Sequence, residues 1–160
     1  MTATITIPIK IKEKLKELSR SKEETFEEII INALSKTYSI LNPEDSVEIH
    51  LELCDKYLRE AEEFLEKGDQ VQASEKGWGA AAQILKAMAA KEGKELRSHC
   101  ELWEYASNIS ESLRDEEISI LWHSANALHT NFYENWMPLR EVRRGVRNVK
   151  RFVEKLKRMM

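Results

Sequence analysis

Four polar side chains interrupt otherwise apolar helical stretches: Glu75 in one, and His129, Asn131 and Tyr133 in another. A carboxylate and an imidazole brought together can pass a proton or orient a bound molecule, so these four are the candidates for acid–base chemistry or for a small-ligand or RNA site. The alternative is a satisfied polar contact inside a core. His50, His99 and His123 share no spacing with the set and read as structural or surface residues. Cys54 and Cys100 are single thiols within helical patterns, with neither the Cys-x-x-Cys nor the His spacing that zinc requires. Both therefore read as buried, reduced cysteines, and neither a metal nor a cofactor is expected. Trp78, Trp103, Trp122 and Trp136 each lie on an apolar stripe and read as core rather than as a cofactor box.

A second kind of chemistry is electrostatic. Lys and Arg number seven against six Asp and Glu in residues 1–43, nine against twenty in 44–137, and nine against two in 138–160. In the last segment Arg140, Arg144, Arg147 and Arg151, followed by Lys155 and Arg158, run along one side of a helix started by Pro138. Such a stripe can contact nucleic-acid phosphates, or it can face the acidic body of its own or a partner chain. Both readings stand on the sequence. Beside it Leu139, Val142, Val146, Val149, Val153, Leu156 and Met160 form an apolar seam for the bundle or a second subunit.

The elements that must position these residues are mostly helices. Asp69–Ala90 carries Val71, Trp78, Ala82, Leu85 and Ala89 at helical spacing, with Gly77 and Gly79 among alanines on the remaining positions. Two glycines cost a helix about 1 kcal/mol each, which is reasonable where neighbouring helices approach closely, so this is expected to be a central helix. Before it, Asn42-Pro43 opens a helix burying Val47, Leu51, Cys54, Leu58, Ala61 and Leu65, and Gly68 ends it. After Gly93, Leu96, Cys100, Trp103, Ala106, Ile109 and Leu113 predict another helix, with a turn at Arg114-Asp115-Glu116-Glu117. Without that turn the helix would run about 60 Å. Residues 118–136 follow, with two apolar faces.

The opening differs. Thr2-Ala3-Thr4-Ile5-Thr6-Ile7 alternates polar and apolar β-branched residues, a strand pattern with no second strand in the chain to pair with. Its cheapest partner is its own copy, which predicts an antiparallel ribbon in a homodimer. Pro8 then starts a helix with Ile11, Leu15 and Leu18 on one side, and Thr25-Phe26-Glu27-Glu28 reads as the capping box of a second helix.

Strand, helix, turn and helix within residues 2–36 resemble the ribbon-helix-helix motif, and in detail the N-terminal segment of archaeal VapB-type antitoxins, through Leu15 to Leu18 and Thr25 to Ile30. That resemblance implies a ribbon in the DNA major groove with Thr2, Thr4 and Thr6 toward bases, and a phosphate held at the start of the second helix near Thr25 and Phe26. The ribbon has no Arg, Asn or Gln for bidentate base contacts, which implies weak sequence readout. A ribbon used only for dimerisation is the alternative. Tyr57–Asp69, Ala73–Ala81 and Ala127–Glu134 are similar to the archaeal PaREP family, which looks like part of the wider HEPN class of helical bundles. This implies an up-down bundle and a dimer. Many HEPN proteins are ribonucleases that use Arg followed by four to six residues and then His. Here Arg97 and His99 are separated by one residue, Arg114 and His123 by eight, and no suitable Arg precedes His129. No catalytic pair carries over.

The chain is therefore expected to be mainly α: a ribbon-helix-helix segment, residues 1–37, followed by a HEPN-like bundle, residues 43–160, with a basic last helix. The expected function is that of a dimeric or higher homo-oligomeric, non-catalytic DNA-binding regulator in a toxin–antitoxin-like setting, with DNA and a cognate toxin-like protein as partners. The alternatives are a HEPN-like enzyme or a small-ligand or RNA binder at Glu75 and His129, and an assembly scaffold. No apolar run reaches the roughly 18 residues of a membrane span, and the N-terminus lacks a signal-peptide pattern, so a cytoplasmic protein without membrane attachment is expected.

Overall fold

The computed structural model describes residues 3–22, 24–38 and 41–160. Among these residues the chain forms seven helices and no strand: α1 (Ile9–Lys22), α2 (Phe26–Tyr38), α3 (Pro43–Glu66), α4 (Gln70–Lys91), α5 (His99–Leu113), α6 (Glu116–Glu134) and α7 (Leu139–Lys157). It divides into two compact units, Met1–Asn42 and Pro43–Met160. None of the helices in the described residues is long and apolar enough to cross a membrane.

In the larger unit α4 is central, packing against α3, α5, α6 and α7. Fourteen of its residues are buried, including the glycine and alanine positions expected to permit close approach. A Cβ on Gly77 would lie 2.8 Å from Leu128 Cδ1, and one on Gly145 of α7 would lie 2.7 Å from Leu128 Cδ2. Leu128 of α6 is fully buried and seated between these two glycines. On the α3 side, a Cβ on Gly79 would lie 3.0 Å from the ring of Tyr57.

Asp69 caps α4 by accepting from the Gln72 amide (3.0 Å). The expected break after Leu113 is present: Arg114 adopts the left-handed conformation (φ 52°), and Asp115 caps α6. The helix before it begins at His99 rather than soon after Gly93. Ser98 and Glu101 form a capping box there, and packing on α4 and α6 turns Leu102, Tyr105 and Ala106 inward. Cys100, Trp103 and Leu113, expected on the buried side, are exposed as a result. On α3 the buried stripe includes Leu53 and Tyr57 while Leu51 and Leu58 are only half-buried, and on α7 Phe152 joins the expected valines. At the end of α6, left-handed Asn135 stops the helix, and Trp136 beyond it is 62% exposed instead of lying in a core.

In the smaller unit α1 packs on α2. The Thr25 amide donates to Glu28 Oε2 (2.9 Å), and the Glu28 amide donates to Thr25 Oγ1 (3.2 Å), which is the predicted capping box. Ala3–Pro8 carries no regular secondary structure, so the expected strand is absent from the single chain. A strand is defined by its ladder, and no second strand occurs among the described residues. The predicted stripe on α1 is also not enclosed: Ile11 is 50% and Leu18 42% exposed.

Candidate functional site

The polar residues singled out in α4 and α6 divide into two structural groups. Asn131 is fully buried. Its Nδ2 donates to Ser74 Oγ on α4 (2.8 Å), and its Oδ1 accepts from the Met137 amide beyond the end of α6 (2.7 Å). Ser74 in turn donates to the Gln70 carbonyl (2.7 Å), so the set ties the start of α4 to the α6–α7 turn. These contacts satisfy both ends of the Asn131 amide inside the core.

His129 and Tyr133 lie one turn apart on α6, their rings 5.3 Å apart and edge-on. The His129 ring lies over Trp78 of α4 at 4.5 Å, with an interplanar angle of 33°. Trp78 is one turn beyond Glu75, which is half-buried. His99, expected to be a structural or surface residue, is the first residue of α5 and joins this group. Its ring stands edge-on to both His129 (4.6 Å) and Trp78 (5.3 Å). Only its position at the capped helix start, immediately after Ser98, could have signalled it, because the contact joins separate helices. Trp122 lies beneath Trp78 at 5.1 Å, and its buried indole N–H has no hydrogen-bond partner among the described residues. Two imidazoles, an exposed phenol and an indole face thus meet where α4, α5 and α6 converge. Such a group can stack a planar molecule and offer it hydrogen bonds. No group of three or more His, Cys, Asp or Glu side chains able to hold a metal occurs among the described residues.

His50 and Gln83 form a separate contact between α3 and α4, with Nδ1 and Oε1 2.6 Å apart. Gln83 is buried, so the pair reads as a structural tie. His123 stacks edge-on against Trp103 (4.9 Å) on the outer side of the α5–α6 hairpin.

The basic last helix is divided. Lys150 donates to Glu62 (2.8 Å), Lys157 to Asp55 (2.5 Å), and Arg151 to Glu117. Lys155 lies 2.7 Å from Asp115 and 2.5 Å from Glu117. The hydrogen bond from Lys155, with Arg151 nearby, holds the Glu117 carboxyl below its ordinary range. Hydrogen bonds to Asp115 and Glu117 raise the Lys155 ammonium correspondingly. Arg151 therefore faces the body's own acids, while Arg140, Arg144 and Arg147 are exposed toward the beginning of α7. Arg144 pairs locally with Glu141 (2.7 Å).

In the smaller unit Thr4 and Thr6 are exposed, and Thr2 lies outside the described residues. Thr25 and Phe26 are half-buried at the start of α2. The Glu28 carboxylate occupies the Thr25 amide, so a phosphate approaching this helix start meets a negative charge already in place.

The larger unit is a helical bundle built on a small-residue central helix, with an aromatic–histidine cluster at one convergence of helices. Residues 49–153 match the family described as the archaeal PaREP1/PaREP8 family, and the chain belongs to it. It is also similar to a Sulfolobus solfataricus protein known from a crystal structure, with 29% identity and a TM-score of 0.59 over 66% of this chain and 94% of that one. No curated protein matches the chain.

Proposed function

We propose that this protein is a homodimeric, non-catalytic DNA-binding regulator whose N-terminal unit pairs with a second copy as a ribbon-helix-helix and whose body is a HEPN-like bundle. The observation that carries the reading is the apolar surface of the first unit. Ile5 is 70%, Ile9 76%, Ile11 50%, Leu18 42% and Leu34 42% exposed, and α1 contains no buried residue. A unit of about 40 residues is at the lower limit of independent folding, and a second copy is the simplest source of the missing core. The alternating Thr and Ile of the opening then have a ladder partner, with Ile5 and Ile7 inward and Thr4 and Thr6 toward DNA. A regulator of this design fits a toxin–antitoxin-like pair, with a toxin-like protein as the body's partner.

The test is a gel shift with DNA from upstream of the gene. Dimer and band should both be present, and changing Thr4 and Thr6 to Ala should weaken the band while the dimer persists. No binding, or binding indifferent to both threonines, would remove the base-reading role.

The cluster of Trp78, His99, His129 and Tyr133 favours a second reading, in which the body binds a small planar ligand or RNA. RNA cleavage or ligand-induced quenching of tryptophan fluorescence that disappears in His129→Ala would support it.

A further inference from the structure

Residues 1–43 are almost neutral, and this conceals a sharp separation of charge. Helix α1 contains Lys10, Lys12, Lys14, Lys16, Arg20 and Lys22 against only Glu13 and Glu17. Lys14 is taken by Glu17 at 2.9 Å. Lys12, Lys16 and Arg20 follow one another at four-residue intervals, which puts them in one row on the helix at steps of about 6 Å and over about 12 Å in all. All three are exposed, and no carboxylate pairs with them among the described residues. Glu13 borders the row without an ion pair to any of the three. The row lies well round the helix from Ile11, Leu15 and Leu18, so an apolar contact through those residues leaves it outward.

Like charges four residues apart work against a helix, and α1 carries two such pairs in succession. In α7 the cations of the second half are matched by carboxylates of the same unit; within its own unit the α1 row pairs with no carboxylate among the described residues. A polyanion would relieve the repulsion and release counterions in doing so. We propose that the Lys12–Lys16–Arg20 row is a phosphate-contacting surface that lies along the backbone of duplex DNA. This inference rests on the DNA-binding reading above and adds to it the source of affinity, since Thr4 and Thr6 carry no charge to neutralise phosphates. The row is independent of base sequence. An anionic lipid surface is the competing partner, but α1 has no Trp, Tyr or Phe to anchor it at an interface.

The experiment measures binding of the full-length protein to a mixed-sequence duplex of roughly 30 bp as salt rises from about 50 to about 200 mM, in parallel with the Lys12→Gln/Lys16→Gln/Arg20→Gln variant. At about 0.9 per phosphate, loss of three contacts in each protomer, about six in the dimer, should flatten the log–log salt slope by about 5.4, so the native protein loses about 1,800-fold more affinity across that range than the variant does. The Lys12→Arg/Lys16→Arg variant should keep the native slope. Helical content and dimer mass are checked for each variant. DNA binding with an unchanged slope in the glutamine variant overturns the proposal and leaves the DNA-binding reading intact. Absence of duplex binding by the native protein at the lowest salt overturns both. Sedimentation with phosphatidylglycerol vesicles, lost in the glutamine variant and unaccompanied by duplex binding, would assign the row to lipid instead.

Discussion

At the residue scale, the two thiols are in opposite environments although they look alike in sequence. Cys54 is fully buried, and desolvation pushes its thiol up to about 12, whereas Cys100 is exposed on the first turn of α5. Because the thiolate is the reacting species, the folded protein at neutral pH should modify one cysteine per chain quickly. The second should react only on unfolding. Titration with a chromogenic disulfide before and after denaturant checks this, and two fast thiols in the native protein would contradict the burial of Cys54. The helical period placed both residues on apolar stripes. What it lacked was the face of α5 that packs on α4 and α6, which is a tertiary property. The same difficulty hid His99, whose neighbours come from α4 and α6. By contrast, the Thr25–Glu28 box was legible because both partners lie within one turn of chain.

At the scale of elements, α4, α6 and α7 meet around Leu128, held between Gly77 and Gly145. A methyl at either glycine improves helix propensity by about 1 kcal/mol but must displace a buried leucine, at a cost of about 1–3 kcal/mol. Gly77→Ala and Gly145→Ala should therefore each lower stability by up to about 2 kcal/mol in urea unfolding. Either should be tolerated better in a Leu128→Ala background, giving a measurable coupling in a double-mutant cycle. Additive effects would mean that the helices do not approach through this contact. The close approach was readable from two glycines in an alanine-rich helix; the leucine they accommodate was not, because helix pairing is a tertiary property.

The α6–α7 contact also has an electrostatic part. Glu117 is held below its ordinary range chiefly by Lys155, so its contribution is present above the unfolded-state carboxyl value and is lost as pH falls through the folded one. Melting temperature should consequently drop between about pH 7 and pH 3, and Glu117→Gln should reduce the size of that drop. Because this carboxylate is at the surface, added salt should also shrink the difference. An acid limb identical in the variant would show that Glu117 does not contribute to it.

At the scale of the whole molecule, the helical body was largely legible because long 3.6-residue periods and strong helix ends determine it locally. In the N-terminal unit the two helices and the Thr25–Glu28 box were legible for the same reason, but the expected strand was not found among the described residues, and the apolar residues of α1 stay largely exposed. In the proposed dimer the exposed Ile5, Ile11, Leu18 and Leu34 are the residues that meet the second copy. The most direct measurement is mass by light scattering of the full-length protein and of Ile11→Asp/Leu18→Asp, with helical content followed in parallel. The account predicts twice the 18.7 kDa chain mass for the native protein and a monomer with a folded body for the variant. A native monomer, or a variant that remains dimeric, would contradict it.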